Sequence, residues 1–322
     1  MISEKRIREV SRLGTAVTIL SLVAVFCISA AWAAETKKRA QQLVFASPEE
    51  AVEALVEAVK ADDNAALTRI FGPESAGVVG SGDPVADREN RQAFVAAYGE
   101  AHQLIREADG KVVLHVGKDD WPFPIPVVKQ GEGWRFDTAA GKQEILNRRI
   151  GKNELSVIQV CLAYVDAQRE YATKDRDKDG VLEYAQKFQS SPGKKDGLYW
   201  ETREGEPLSP LGPLMAQAVK EGYKKASGGQ PAPFHGYYFK ILKAQGKNAP
   251  GGAYDYVVNG RMIGGFAMVA WPAQYGSSGI MTFMVNHDGI VYEKDLGPDT
   301  AGIVAGITKF NPDSTWRKVE QN

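Results

Sequence analysis

Three aspartates at every second position, followed by a glycine, form the pattern in this chain that is most suggestive of chemistry. They are Asp175, Asp177 and Asp179, and Gly180 comes directly after them. In a calcium-binding loop, carboxylates at positions 1, 3 and 5 supply oxygen ligands, and a glycine at position 6 permits a sharp turn. The spacing therefore predicts a calcium loop that begins at Asp175.

The remainder of this loop fits the EF-hand pattern only in part. Val181 at position 7 would offer its carbonyl oxygen, and Glu183 at position 9 would bind the ion directly or through water. Position 12 holds Gln186 where the pattern requires a bidentate carboxylate, and Asp196 is a candidate replacement. Because that carboxylate is missing, we expect weak binding, in the millimolar range usual for extracellular modules, and a structural role.

A simpler interpretation of the same stretch is a solvated Asp-Gly turn. Basic residues alternate with the aspartates and offset their negative charge: Lys174, Arg176 and Lys178. In this alternative Asp179 caps a helix over residues 181–188. The sequence leaves the calcium loop and the turn open.

A second acidic group lies in a loop rich in prolines. Asp119 and Asp120 come directly before Trp121 in the stretch GKDDWPFPIP. A carboxylate pair beside an aromatic ring is suited to general acid–base catalysis or to holding a sugar. The prolines of this stretch stiffen its backbone. Two alternatives to a catalytic or sugar-binding site are therefore a rigid aromatic loop that docks on a partner and a purely structural loop. These three residues form a candidate binding site.

Other residues that could carry chemistry are sparsely placed, and we predict no catalytic residue. The four histidines show neither the HxH nor the HExxH spacing of a metal site. Cys27 and Cys161 are the only cysteines, which excludes a zinc site built from cysteines. Calcium at the aspartate loop is therefore the only cofactor that the sequence suggests.

The first 34 residues predict export. Four basic residues precede an apolar run, residues 13–34, which ends in the small-x-small pattern Ala31-Trp32-Ala33. We expect a cleaved signal peptide over residues 1–33, a tether over 34–42, and a periplasmic or secreted protein. The alternative is an uncleaved inner-membrane anchor formed by residues 13–34, since about 20 apolar residues can span a bilayer. No transmembrane segment is expected after this run.

The formal net charge of −1 over 322 residues, with neither half strongly basic, argues against a nucleic-acid surface. Helical and strand patterns alternate along the chain, which predicts an α+β fold of two domains. Residues 43–150 read as a small domain of helices and then a curved sheet, and residues 151–322 as a long helix packed on an antiparallel sheet. Gly151 is expected to end the helix before the boundary as a C-cap.

Two sequence patterns support the prediction of the second domain. In its helix, residues at helical spacing form one apolar stripe, expected to be buried: Leu155, Ile158, Leu162 and Val165. Five short β-type runs between residues 235 and 294, separated by Gly, Pro and Asn turns, are expected to form one antiparallel sheet on that helix.

Two fold resemblances accompany these patterns. Residues 43–150, helices followed by strands that end in GWRFDT, resemble the nuclear-transport-factor-like cone fold, which implies a small binding or spacer domain. The later part, a long helix followed by strands ending in GIMTFMVNHDGIVY, is similar to the globular head of type IV pilins. The pilin N-terminal signal is absent beside that helix, so the likeness concerns the head fold and does not imply filament assembly.

Taken whole, the chain from residue 43 onward resembles an uncharacterised family of exported bacterial proteins, domain-of-unknown-function family 2950. The stretches that carry the likeness include DDWPFPIPVVK, GWRFDTAAGKQEILNRRIGKNEL, DGLYW, PFHGYYFKIL, YDYVVNGRMIGGFAM and NHDGIVYEKDLGPDT. The resemblance implies export and the two-part layout, and the family has no established activity to carry over.

These observations together predict an exported cell-envelope protein that acts as a non-catalytic binding or assembly component. Its expected partner is an envelope protein or polymer. The alternative is a hydrolase acting on an envelope polymer such as a glycan. A deep pocket in which carboxylates, histidine and arginine converge would favour the hydrolase, and a shallow exposed aromatic patch would favour the binding protein.

Overall fold

The computed structural model describes residues 42–221, 223 and 232–320. The predicted signal peptide (1–33) and nearly all of the predicted tether lie outside these residues. Within the same ranges, no helix is long and apolar enough to cross a membrane. The described chain combines helices with antiparallel sheets, which confirms the α+β class.

The described part of the chain begins with three helices, each preceded by a residue whose side-chain oxygen accepts hydrogen bonds from its first turn. Ser47 caps α1 (Pro48–Lys60), Asp63 caps α2 (Asn64–Phe71) and Asp83 caps α3 (Pro84–Glu100). A short 3₁₀ helix, Gly72–Ser75, follows α2. Residues of α1 and α2 are deeply buried, whereas α3 has no buried residue.

A five-stranded antiparallel sheet follows these helices. Its strands are β1 (His102–Arg106), β2 (Val112–Val116), β3 (Trp121–Pro122), β4 (Val127–Gln130) and β5 (Gly133–Phe136). The order is β1-β2-β4-β5, and β3 pairs with β2. Every second residue of β2 is buried, as expected for a strand with one face on the core. That face packs on α1 and α2 to form the first hydrophobic core.

The helix α4 (Thr138–Tyr171) has 34 residues and continues through Gly151. The predicted C-cap at Gly151 is therefore wrong: the extensive packing of α4 outweighs the loss of about 1 kcal/mol that glycine causes inside a helix. The division into domains 43–150 and 151–322 stays a prediction. Residues from Leu43 onward belong to one compact unit, which contains two hydrophobic cores.

The predicted apolar stripe of α4 is wrong at its first residue. Leu155 is 68% exposed, whereas Val165 is buried and Ile158 and Leu162 are partly buried. The most deeply buried side chains of α4 form another row, offset from the predicted one: Val157, Cys161, Tyr164 and Gln168.

That row packs against the second sheet and the loops beside it. The strands are β6 (Tyr237–Leu242), β11 (Ala267–Pro272), β12 (Met281–Asn286), β13 (Val291–Asp295) and β14 (Arg317–Lys318). They are antiparallel in the order β14-β13-β12-β11-β6, and α4 contacts β12 and β13.

Four of the five predicted β-runs lie in this sheet. The fifth, residues 253–260, forms small two-stranded pairs instead: β7 (Ala244–Gln245) with β8 (Tyr254–Asp255), and β9 (Val257–Val258) with β10 (Arg261–Met262). Two short helices complete the described elements, α5 (Gly212–Lys220) and α6 (Thr300–Gly306).

Candidate functional sites

A cavity of about 760 Å³ lies between the three N-terminal helices, the first sheet and the start of α4. Fourteen of its lining residues are apolar: Leu55, Val59, Leu67, Phe71, Val78, Val79, Ala93, Phe94, Ala97, Val116, Trp121, Phe123, Pro124 and Ile145. The partial exposure of α3 is consistent with this cavity, because Phe94 and Ala97 on the inner side of that helix border the open space as well as the first core.

The cavity runs along α3 and has polar residues toward both ends of that helix. Near its start lie Asp87, Asn90, Arg91 and Arg149, and near its end lie Glu100, Lys118 and Asp119. Asp87 and Glu100 are 13 residues apart in one helix, which corresponds to about 20 Å along its axis. A long apolar channel with charged groups at each end is suited to an extended amphipathic ligand.

Two arginines hold the backbone of the loop before α3 at the first end. Arg149 donates from Nη1 to the carbonyl oxygen of Gly77 and from Nη2 to that of Val78, at 3.0 Å for the latter. Arg91 donates from Nη2 to the carbonyl oxygen of Val79, at 2.6 Å. The loop is therefore fixed over the cavity by guanidinium groups from two different helices.

The two arginines differ in their counter-charge. Arg91 forms an ion pair with Asp62, whereas among the described residues no carboxylate lies within 4.0 Å of Arg149. Burial lowers the pKa of Arg149, the charge of Asp87 raises it at longer range, and the charge of Arg91 lowers it again. Asp87 itself accepts a hydrogen bond from the backbone N–H of Ser81 at 3.0 Å.

The predicted binding residues Asp119, Asp120 and Trp121 are separated by the structure. Asp119 and Trp121 line the second end of the cavity, and the 40% exposed indole of Trp121 stacks under Arg148 at 4.9 Å. Asp120 is not among the lining residues and contacts β1 and β2. Its backbone is left-handed (φ 53°), a conformation that aspartate tolerates in turns.

Asp120 is held by Gln103, whose Nε2 donates to its Oδ1 at 2.7 Å, and by His115, whose Nδ1 lies 3.1 Å from the same oxygen. The hydrogen bond from Gln103 and the neighbouring His115 lower the pKa of Asp120. Of the two neighbouring carboxylates, Asp119 therefore lines the cavity and Asp120 does not.

Sequence reasoning missed the cavity residues Asp87, Arg91 and Arg149. Each is one charged residue among many on an amphipathic helix, and a solvated position is the usual explanation of such a residue. Only the tertiary packing that brings α3 and α4 around one space distinguishes them.

The aspartate loop has its own geometry, beyond the end of α4. Carboxylate oxygens of Asp175, Asp177 and Asp179 lie within 4.8 Å of one another. Asp175 accepts hydrogen bonds from the backbone N–H groups of Lys178 (2.7 Å), Asp179 (3.3 Å) and Gly180 (2.9 Å). These bonds, of which that from Gly180 has the largest effect, lower the pKa of Asp175.

The turn itself requires unusual backbone angles. Lys178 and Gly180 both have positive φ, 65° and 85° respectively, so the chain folds back sharply around the carboxylate of Asp175. Glycine adopts this conformation without steric cost, which explains Gly180 at the sixth position.

Only some of the predicted ligands beyond the turn lie near the aspartate cluster. Burial raises the pKa of Glu183, and the charges of Asp177 and then Asp179 raise it further, so its carboxylate lies within electrostatic range of the cluster. Gln186, at position 12, instead donates to the carbonyl oxygen of Gly260 at 2.7 Å. Asp196 pairs with Lys187 at 2.6 Å, which argues against its role as the replacement ligand.

Asp179 has a competing partner and no helix to cap. Both Nε and Nη2 of Arg261 lie 2.6 Å from its Oδ2, while its Oδ1 accepts from the N–H of Val181 at 2.9 Å. Residues 181–188 form no helix, so the expected cap at Asp179 is wrong. The segment is held instead by bridges such as the one between Tyr184 and Met262.

The fold and these sites define an α+β protein with an apolar cavity beside its first sheet and an acidic loop beyond its long helix. The chain belongs to the family described as protein of unknown function (DUF2950), whose model matches residues 42–319. No curated protein and no solved structure shows significant similarity to the chain.

Proposed function

We propose that this protein is an exported binding protein of the cell envelope, and that it holds an apolar or amphipathic small molecule in the cavity beside α3. The observation that carries the proposal is the cavity itself. Its volume of about 760 Å³ falls within the range of ligand sites, roughly 300–1,000 Å³. A mainly apolar lining with a few polar groups is also typical of such sites.

The competing hydrolase has weaker support. Carboxylates and arginines do line the cavity, but the described lining residues include no histidine, and the carboxylates lie toward opposite ends of a mainly apolar channel. Asp119 also lacks Asp120 as a neighbour in the cavity. Binding without catalysis accounts for the apolar lining, which a hydrolase acting on a glycan would not need.

Filling the cavity is expected to abolish binding. Ala97 lies on the inner side of α3, and an Ala97→Trp variant would place an indole inside the channel. Dodecanol is a suitable neutral probe, and binding is measured by titration calorimetry. We expect heat of binding with the wild type and none with Ala97→Trp.

The matched control is Ala96→Trp, one residue along, because Ala96 is exposed and does not line the cavity. That variant should bind dodecanol as the wild type does. If the wild type does not bind the probe, or if both variants lose binding equally, the cavity is not the binding site.

The partner expected from the sequence remains part of the proposal. An envelope protein or polymer would contact the protein at Trp121, whose ring is partly exposed at the second end of the cavity. The likenesses of the first part to a nuclear-transport-factor-like cone and of the later part to a pilin-type head belong to the proposal as well.

We also propose a weak structural calcium site at Asp175, Asp177, Asp179, Val181 and Glu183. The three clustered carboxylates support it, and the turn at Gly180 fits the requirement of the loop. Arg261 offsets part of the negative charge and the twelfth position lacks a carboxylate, so millimolar affinity is expected.

Calcium is therefore expected to raise the melting temperature over that in chelator. A free concentration ten times the dissociation constant would stabilise the fold by about 1.4 kcal/mol. Asp177→Ala should remove the shift, because alanine has no side-chain oxygen to offer calcium, while Asp166→Ala, at an 81% exposed position on α4, should retain it. An unchanged wild-type melting curve, or an equal shift in Asp177→Ala, would leave the aspartates as a solvated turn.

Export is proposed from the first 34 residues. If the signal is cleaved, intact-mass analysis of protein from the envelope fraction should show a chain that begins at Ala34. Full-length protein in the membrane fraction would select the anchor over residues 13–34, and full-length protein in the soluble cytoplasmic fraction would contradict both.

A further inference from the structure

The guanidinium of Arg149 is a largely buried charge of the cavity that has no carboxylate within 4.0 Å among the described residues. It lines the cavity and is largely buried, with neutral hydrogen-bond partners: the carbonyl oxygens of Gly77 and Val78, and Oγ of Ser277 at 3.5 Å. An arginine has five N–H donors, so these contacts leave two for another partner. Placing a cation away from water without a counter-charge is costly.

The charged groups around Arg149 do not supply the counter-charge that it lacks. Asp62 already pairs with Arg91, and Asp87 acts on Arg149 from beyond 4.0 Å while it accepts a hydrogen bond from Ser81. The other charged lining residues, Glu100, Lys118 and Asp119, lie toward the far end of α3, about 20 Å along the helix.

We propose that the cavity binds a single-chain amphiphile with an anionic head group, a carboxylate or a phosphate, with the head at Arg149 and the chain along α3 toward Trp121. This inference rests on the proposed binding function and names its ligand class. Guanidinium groups bind carboxylates and phosphates through paired, charge-assisted hydrogen bonds, which suits the two remaining donors. The apolar side chains between the two polar ends receive the alkyl chain.

The test compares alkyl probes of equal length and different head group. Dodecanoate, dodecyl phosphate and dodecanol are titrated into the wild-type protein and their affinities compared by calorimetry. Only the anions can form a paired hydrogen bond between opposite charges with Arg149, so dodecanoate and dodecyl phosphate are expected to bind at least tenfold more tightly than dodecanol, whose hydroxyl accepts as a neutral group. The ratio between the two anions distinguishes a carboxylate from a phosphate ligand.

Variants assign the preference to Arg149. Arg149→Met should remove the advantage of the anions and leave dodecanol binding in place. Arg88→Met is the matched control, because Arg88 is an exposed cation beside Asp87 that does not line the cavity. That variant should keep the anion preference.

A second variant keeps the proposal testable if Arg149→Met does not fold. Asp87→Asn retains an oxygen acceptor for Ser81 and removes a negative charge near the head, so dodecanoate should bind several-fold more tightly. A lower affinity in Asp87→Asn, or equal affinities of the wild type for dodecanoate and dodecanol, would overturn the anionic head. Dodecanol binding that Ala97→Trp abolishes would still support the cavity as a binding site, so the two failures are distinguishable.

Discussion

Replacing Val157 with aspartate is expected to prevent folding, whereas the same change at Leu155 should leave stability almost unchanged. Val157 has no exposed surface and lies on the side of α4 that faces the second core. A carboxylate there would be buried without a partner, which lowers the free energy of unfolding by about 5 kcal/mol or more. That loss is a large part of the total stability of a typical domain. Leu155, 68% exposed, tolerates a charge at a cost of about 0.5 kcal/mol.

Circular dichroism and urea unfolding of the two variants measure this difference. Because both changes insert aspartate into one helix, two positions apart, the change of net charge is the same, and the lost valine and leucine differ in helix propensity by only a few tenths of a kcal/mol. Leu162→Asp should fall between the two, since Leu162 is only partly buried. If the Val157 variant unfolds at the wild-type urea concentration, the packing of α4 on the second sheet is wrong.

Leu155 and Val157 also show why the sequence analysis predicted the wrong buried side for α4. The predicted row and the observed row both have helical spacing, so hydrophobic periodicity alone does not choose between them. The observed row is hard to recognise in the sequence because one of its members, Gln168, is polar although it is fully buried. Its Nε2 donates to the carbonyl oxygen of Ala185 and its Oε1 accepts from the N–H of the same residue, each at 2.8 Å.

The two candidate sites differ in how far the sequence could predict them. The aspartate loop is local: Asp175 bonds to backbone groups three to five residues away, so spacing alone places the carboxylates together. The cavity is not local. Arg149 reaches Gly77 and Val78 across more than 70 residues, and no pattern within α4 distinguishes it from the exposed Arg148.

Replacing Asp83 with alanine is expected to lower the free energy of unfolding by about 4 kcal/mol. In the sequence Asp83 resembles an ordinary helix cap, but it also contacts residues far along the chain. Its Oδ1 caps α3 through the N–H groups of Val85 and Ala86, both at 3.1 Å. Its Oδ2 accepts from the hydroxyl of Tyr223 at 2.7 Å and from the N–H of Gly236 at 2.8 Å. Because Asp83 is fully buried, alanine would remove an acceptor shared by four donors, of which the N–H of Gly236 is buried and the other three are partly buried.

Asp63→Ala is the matched control, since Asp63 caps α2 with the same two-bond geometry but is exposed. Removing an exposed cap costs about 1 kcal/mol, so urea unfolding should separate the two variants by about 3 kcal/mol. Equal losses would mean that Asp83 acts only as a helix cap. A larger loss at Asp83 would show that this carboxylate ties the start of α3 to the chain before β6, and so helps to hold in place the helix that forms one wall of the cavity.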